Sequence, residues 1–237
     1  TPIGRLRGQH VGYSSHPDAI FVHDPLPGAD EATATKAATA VANELRRLLS
    51  LPCADPELVI DADLRPEGRS GALVRSIASY SAYYARWSSP WEAQALLRAR
   101  PLAGDESLSA EFMELIDPLR WPVDGISDPD VREVRRLKAR MESERLPKGA
   151  DPSLHVKLGR GGLSDVEWVA QLLQMRHAGE PGFEALRVTG TLNALEAATD
   201  LGLMTAEDRD ALEAAWCLAT RMRNAVYSVT GRPSDQV

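Results

Sequence analysis

Strand signals stop early in this chain, and that limits what it can fold into. Two short apolar runs closed by turn residues lie near its start: Ala19-Ile20-Phe21-Val22-His23 before Asp24-Pro25, and Leu58-Val59-Ile60-Asp61-Ala62-Asp63-Leu64 before Pro66 and Gly68. Both read as strands. Between them, 32–51 is rich in Ala and Leu and free of Gly and Pro, which predicts a helix. Strand–helix–strand opens an α/β sheet domain. The chain begins on what reads as strand material, so further elements of that sheet are expected upstream. From Leu73 onward only helical patterns follow, over 73–87, 90–100, 108–120 and 130–146. Ser164-Asp165-Val166-Glu167 has the form of a capping box before an apolar run to His177. Thr205 opens a last helix, in which Leu212, Ala215, Ala219, Met222, Val226 and Val229 recur at the 3–4 spacing of a buried face. The expected fold class is α+β: a sheet domain over 1–105 and an all-α helical bundle over 106–237.

Composition removes several function classes. The formal net charge is −7 over 237 residues, which disfavours phosphate-driven binding of nucleic acid. No apolar run approaches the ~18 residues of a membrane span, and Arg5, Arg7, Gly8, Gln9 and His10 interrupt any signal-peptide core. Cys53 and Cys217 are the two cysteines, in no ligand-like spacing, so a reducing, cytoplasmic setting without disulfides is expected.

Carboxylates at strand positions carry the chemical signal. His16 and Asp18 are expected on one face of the first strand, Asp61 and Asp63 on one face of the second. Acidic groups lined up on adjacent strands are costly unless neutralised, and Mg²⁺ is the usual ion for an all-oxygen site. On spacing alone, strand-end and turn residues remain the plainer account of Asp18 and Asp63. Arg65, Glu67 and Arg69 follow the second strand; Arg65 is a candidate triphosphate ligand by its fork of donors, or a surface partner of Glu67. Glu92 is expected to cap its helix. Lys157-Leu158-Gly159-Arg160-Gly161-Gly162 precedes a helix start, where backbone N–H groups can meet an anion; a tight turn for close packing explains it equally well. The ending of a P-loop is absent. Glu167 reads as a capping residue rather than a ligand, and His23, His155 and His177 as structural. The mixed charges of 132–145 read as a solvated helix face.

Five stretches together resemble the glutamine synthetase (glutamate–ammonia-ligase) adenylyltransferases of the polymerase-β nucleotidyltransferase superfamily. They are Gly12-Tyr13 with Asp18-Ala19-Ile20-Phe21-Val22-His23; Asp61-Ala62-Asp63-Leu64-Arg65-Pro66-Glu67-Gly68; Trp91-Glu92-Ala93-Gln94-Ala95-Leu96-Leu97-Arg98-Ala99-Arg100; Lys157 to Trp168; and Arg223-Asn224-Ala225 with Gly231-Arg232-Pro233-Ser234-Asp235. The resemblance implies a polymerase-β-like nucleotidyltransferase sheet domain, here N-terminally truncated, followed by the helical bundle. It implies transfer of AMP from ATP to a tyrosine of glutamine synthetase, with Mg²⁺, in a two-unit protein whose C-terminal, AMP-attaching unit this chain is more like. The AMP-removing, phosphorolytic unit and a catalytically weak nucleotide-binding module are the alternatives. The implied site comprises Asp18 and Asp61 as catalytic and metal-binding carboxylates, with Ser15 on the nucleotide; Arg65, Lys157 and Arg160 join it as candidate nucleotide contacts by their own charge and donors. His16 stands where the family has its first metal-binding Asp, and Ser14 where it has Gly. An imidazole brings no negative charge and suits Mg²⁺ poorly, so impaired activity is expected. Glutamine synthetase and a PII-type signalling protein are the implied partners.

Overall fold

A computed structural model describes residues 2–3, 17–52 and 58–237. These form two compact units, one reaching Arg120 and one beginning at Trp121. The architecture is mixed α and β, mostly helical, with small two-stranded pairings.

In the first unit, β1 (Pro2–Ile3) pairs antiparallel with β2 (Asp18–Ala19), and β3 (Phe21–His23) pairs parallel with β4 (Val74–Ser76). The expected strand over 19–23 is therefore split at Ile20, which is 1% exposed and belongs to the core. The expected strand over 58–64 reduces to one bridge residue, Asp61, paired parallel with Asp18. The helix expected over 73–87 begins later, as α2 (Ile77–Trp87), because Val74-Arg75-Ser76 pair with β3 and Ser76 then caps the helix by accepting from Ser79 N–H. Helix α1 (Glu31–Leu49) links β3 to β4 and packs on both; Asp30 caps it through Thr33 N–H at 2.8 Å. Helices α3 (Pro90–Leu96) and α4 (Glu106–Arg120) complete the unit. Its core is aromatic: Tyr80 and Tyr84 sit one turn apart on α2, and Phe112 and Ile116 one turn apart on α4. The Tyr80 and Phe112 rings meet edge to face at 5.2 Å.

The second unit consists of α5 (Asp128–Arg145), α6 (Leu163–His177), α7 (Thr191–Asp200) and α8 (Ala206–Thr230). Leu163, Val166 and Ala170 of α6 pack with Ala194 and Leu195 of α7 and with Trp216 and Ala219 of α8. Thr205 caps α8 as expected, through Asp208 N–H at 3.1 Å. The buried face of α8 runs through Trp216, Ala219 and Arg223, and it ends before Val229, which is 85% exposed. The expected capping box at Ser164 does not form. Gly162 is the N-cap of α6, so Ser164 and Glu167 lie inside the helix.

Candidate functional site

The first unit brings Asp18 and Asp61 side by side. Ala19 N–H donates to Asp61 O at 2.7 Å, and Asp61 N–H to Pro17 O at 2.9 Å, locking the parallel bridge. Neighbouring strands lie about 4.8 Å apart, so two half-buried carboxylates project from adjacent backbones. Asp61 is further oriented by Asp63 N–H, which donates to its Oδ1 at 2.7 Å, the short-range bond that starts many turns. Ser15 and His16 lie outside the described residues. Among the described residues, no group of three or more His, Cys, Asp or Glu could hold a metal ion. Asp18 and Asp61 nevertheless present the hard oxygen donors that Mg²⁺ takes one or two at a time.

Asp63 lies in the turn that follows the single bridge residue Asp61. Its carboxylate accepts from Arg69 Nε at 2.5 Å, and the Arg65 guanidinium lies 3.6 Å away. The hydrogen bond from Arg69 holds its pKa below the ordinary carboxylate value. Arg65 uses three of its five donors on backbone carbonyls, those of Ala62, Arg69 and Gly71. Glu67 pairs with Arg75 of β4 rather than with Arg65. Arg75 in turn lies over the Tyr83 ring at 5.5 Å. Sequence reading missed this arginine, whose only signal was its place on a strand taken for helix.

Glu92 is 3% exposed and structural, as expected. Its Oε2 accepts from Ser89 N–H at 3.0 Å and from Ser89 Oγ at 2.8 Å, and its Oε1 from the Tyr83 hydroxyl at 2.8 Å. Burial, reinforced by that bond to Glu92, raises the Tyr83 pKa.

The glycine turn before α6 is in the second unit, and its amides are largely satisfied internally. Leu163 N–H donates to Val156 O at 3.0 Å, Ser164 N–H to Lys157 O at 3.0 Å, and Gly162 N–H to Gly159 O at 2.9 Å. Gly161 N–H donates to Asp165 Oδ2 at 2.7 Å, and Asp165 also pairs with Lys138. Two glycines are demanded by close approach: a Cβ on Gly159 would lie 2.2 Å from Pro152 O, and one on Gly162 would lie 2.8 Å from Val156 O. The geometry is that of a packed turn. Arg160 is exposed, and Lys157 lines a cleft of about 450 Å³ with Arg145, His155 and the tail residues 233–236. The closing Arg223 and Asp235 form an ion pair with side chains 10% and 24% exposed, and Val156 N–H donates to Asp235 O at 2.9 Å, so this stretch pins the tail to the turn. His23, His155 and His177 bond to Thr35, Leu158 and Glu180, the structural roles expected of them.

Comparison with known proteins follows the same division. Residues 2–115 match the family described as Glutamate-ammonia ligase adenylyltransferase, and residues 133–237 match GlnD PII-uridylyltransferase. The chain is 61% identical over 234 residues to a bifunctional glutamine synthetase adenylyltransferase/adenylyl-removing enzyme of Streptomyces avermitilis. It is 53% identical to the protein of that name from Nocardia farcinica and 52% to that from Mycobacterium tuberculosis. Each match covers 98–99% of this chain and 23% of the relative, so the chain spans less than a quarter of these relatives' length.

Proposed function

We propose, from the match of residues 2–115 to the glutamate–ammonia ligase adenylyltransferase family, that the chain is the AMP-attaching unit of such a protein, transferring AMP from ATP to a tyrosine of glutamine synthetase. The observation that carries this reading is the bridge that sets the Asp18 and Asp61 carboxylates on adjacent backbones.

Asp18 and Asp61, with His16, would hold Mg²⁺, which supplies charge neutralisation at the phosphates. Asp61, its Oδ1 tied to Asp63 N–H, takes the proton of the attacking tyrosine hydroxyl. The tyrosine oxygen forms a bond to the α-phosphorus, the bond from that phosphorus to the bridging oxygen breaks, and pyrophosphate leaves. Ser15 contacts the departing phosphates. His16 lowers the negative charge of the site relative to a third carboxylate, so a slow reaction is expected. The match of 133–237 to a PII-uridylyltransferase supports a PII-type signalling protein as partner, and the setting is cytoplasmic.

The relatives' names include adenylyl removal, which favours a second reading: phosphorolysis of AMP-tyrosine, releasing ADP. The test is the intact mass of glutamine synthetase after incubation with this chain, Mg²⁺ and ATP, beside Asp61→Asn and His16→Asp. Gain of AMP, reduced about 100-fold or more in Asp61→Asn, supports the proposal. Gain only with His16→Asp makes the unit a transferase disabled at that position. No gain with either, but ADP release from modified glutamine synthetase and phosphate, establishes the removing unit. Neither activity leaves a nucleotide-binding or docking module.

A further inference from the structure

The turn between Asp61 and β4 is held from within by one side chain. Arg65, whose side chain is 12% exposed, donates from Nη1 to Ala62 O at 2.8 Å, from Nη2 to Arg69 O at 3.0 Å, and from Nε to Gly71 O at 3.0 Å. These carbonyls lie on both flanks of the turn, so one planar guanidinium ties the residue after Asp61 to the approach to β4. Other contacts close the same turn. Arg69 bonds Asp63 at 2.5 Å, and Arg75 pairs with Glu67, the one non-glycine residue at positive φ (64°) among the described residues. A Cβ at Gly71 would lie 2.0 Å from Pro66 O, so the two flanks are in contact there. Among the described residues, the backbone of Asp61 pairs through a single bridge rather than a ladder.

We propose that Arg65 is a positioning residue for the Asp61 carboxylate. Its fork fixes the turn, and the turn presents Asp63 N–H to Asp61 Oδ1 at 2.7 Å, which sets the orientation of that carboxylate beside Asp18. The inference rests on the catalytic role proposed above for Asp61. It differs from direct contact with a triphosphate in what lysine can replace. Lysine keeps the charge but cannot reach three carbonyls from one plane.

The experiment compares Arg65→Lys and Arg65→Met by kcat, KM for ATP and Mg²⁺ requirement in AMP transfer, with amide hydrogen exchange over 61–71. Positioning predicts that both variants lose about 10- to 100-fold in kcat. It also predicts a raised Mg²⁺ requirement, an unchanged KM for ATP at saturating Mg²⁺, and lost protection at the Gly68 and Gly71 amides. Rescue by lysine, or a raised KM with kcat retained, overturns it. If the unaltered chain transfers no AMP, the catalytic reading fails by itself, and exchange in the variants still decides whether Arg65 holds the turn. If a variant does not fold, exchange in the unaltered chain decides: free-peptide rates at Gly68 and Gly71 overturn the clamp.

Discussion

Two alanine substitutions within one motif separate a packed turn from a ligand cradle. Gly159 and Gly161 are neighbours in the glycine-rich stretch, but their surroundings differ. A Cβ on Gly159 would lie 2.2 Å from Pro152 O and 2.5 Å from His155 O, where ordinary contact begins at 3.4 Å, so backbone must move by roughly 1 Å. The obstacle is rigid on both sides. Gly159 N–H donates to His155 O at 2.7 Å, and Leu154 O accepts from Val237 N–H at 3.1 Å. Overpacking of about 1–3 kcal/mol and the loss of one buried hydrogen bond, about 1 kcal/mol, put Gly159→Ala near 3 kcal/mol. Gly161 has φ +73° and no atom within 4 Å of a built Cβ. Its alanine meets only the left-handed backbone penalty, about 1 kcal/mol. Urea unfolding followed by far-UV circular dichroism and tryptophan fluorescence measures both, with Trp168 and Trp216 reporting from α6 and α8. The m-value should stay constant and the midpoints should separate by more than the tenfold in stability that 1.4 kcal/mol represents. Equal losses, or a larger one at Gly161, would refute the packing account and return the motif to ligand binding.

Phe112→Ala should cost the first unit about 3–5 kcal/mol, because the ring is 0% exposed and packs edge to face on Tyr80; a loss below about 1 kcal/mol in the same unfolding assay would contradict that core. Alkaline pH should weaken this unit. Burial raises the pKa of Tyr80, Tyr83 and Tyr84, so above about pH 10 the unfolded chain releases protons that the folded chain keeps. Stability is then full below pH 10 and falls by up to about 1.4 kcal/mol per pH unit for each of the deeply buried Tyr80 and Tyr84. Urea midpoints between pH 8 and 11 test the slope, which Tyr84→Phe should reduce; a flat profile would contradict the burial of these hydroxyls.

Elements with a strong local signal were legible in the chain itself. The Ala- and Leu-rich segment predicted over 32–51 is α1, and the helix start at Thr205 is capped by the side chain that announced it. Alternation placed carboxylates at two strands, and the family resemblance singled out Asp18 and Asp61, which the fold bridges. What failed depended on distant backbone. Val74-Arg75-Ser76 carries no strand periodicity and became β4 because β3 offers it a parallel partner. The capping box written at Ser164 lost to Gly162, whose extended backbone fits the turn packed against residues 152–159.

The site divides in the same way. Residue types and their order determined by themselves that two carboxylates stand at strand positions, that a glycine-rich turn precedes α6, and that these motifs follow an adenylyltransferase pattern. Only the tertiary structure decided which groups remain for chemistry. It paired Asp63 with Arg69, gave Arg65 to three carbonyls of its own turn, and satisfied the glycine-rich amides from within. The physical reason is that buried backbone donors and acceptors must find partners. Which side chains answer that need depends on how the chain returns to itself, which no local pattern encodes.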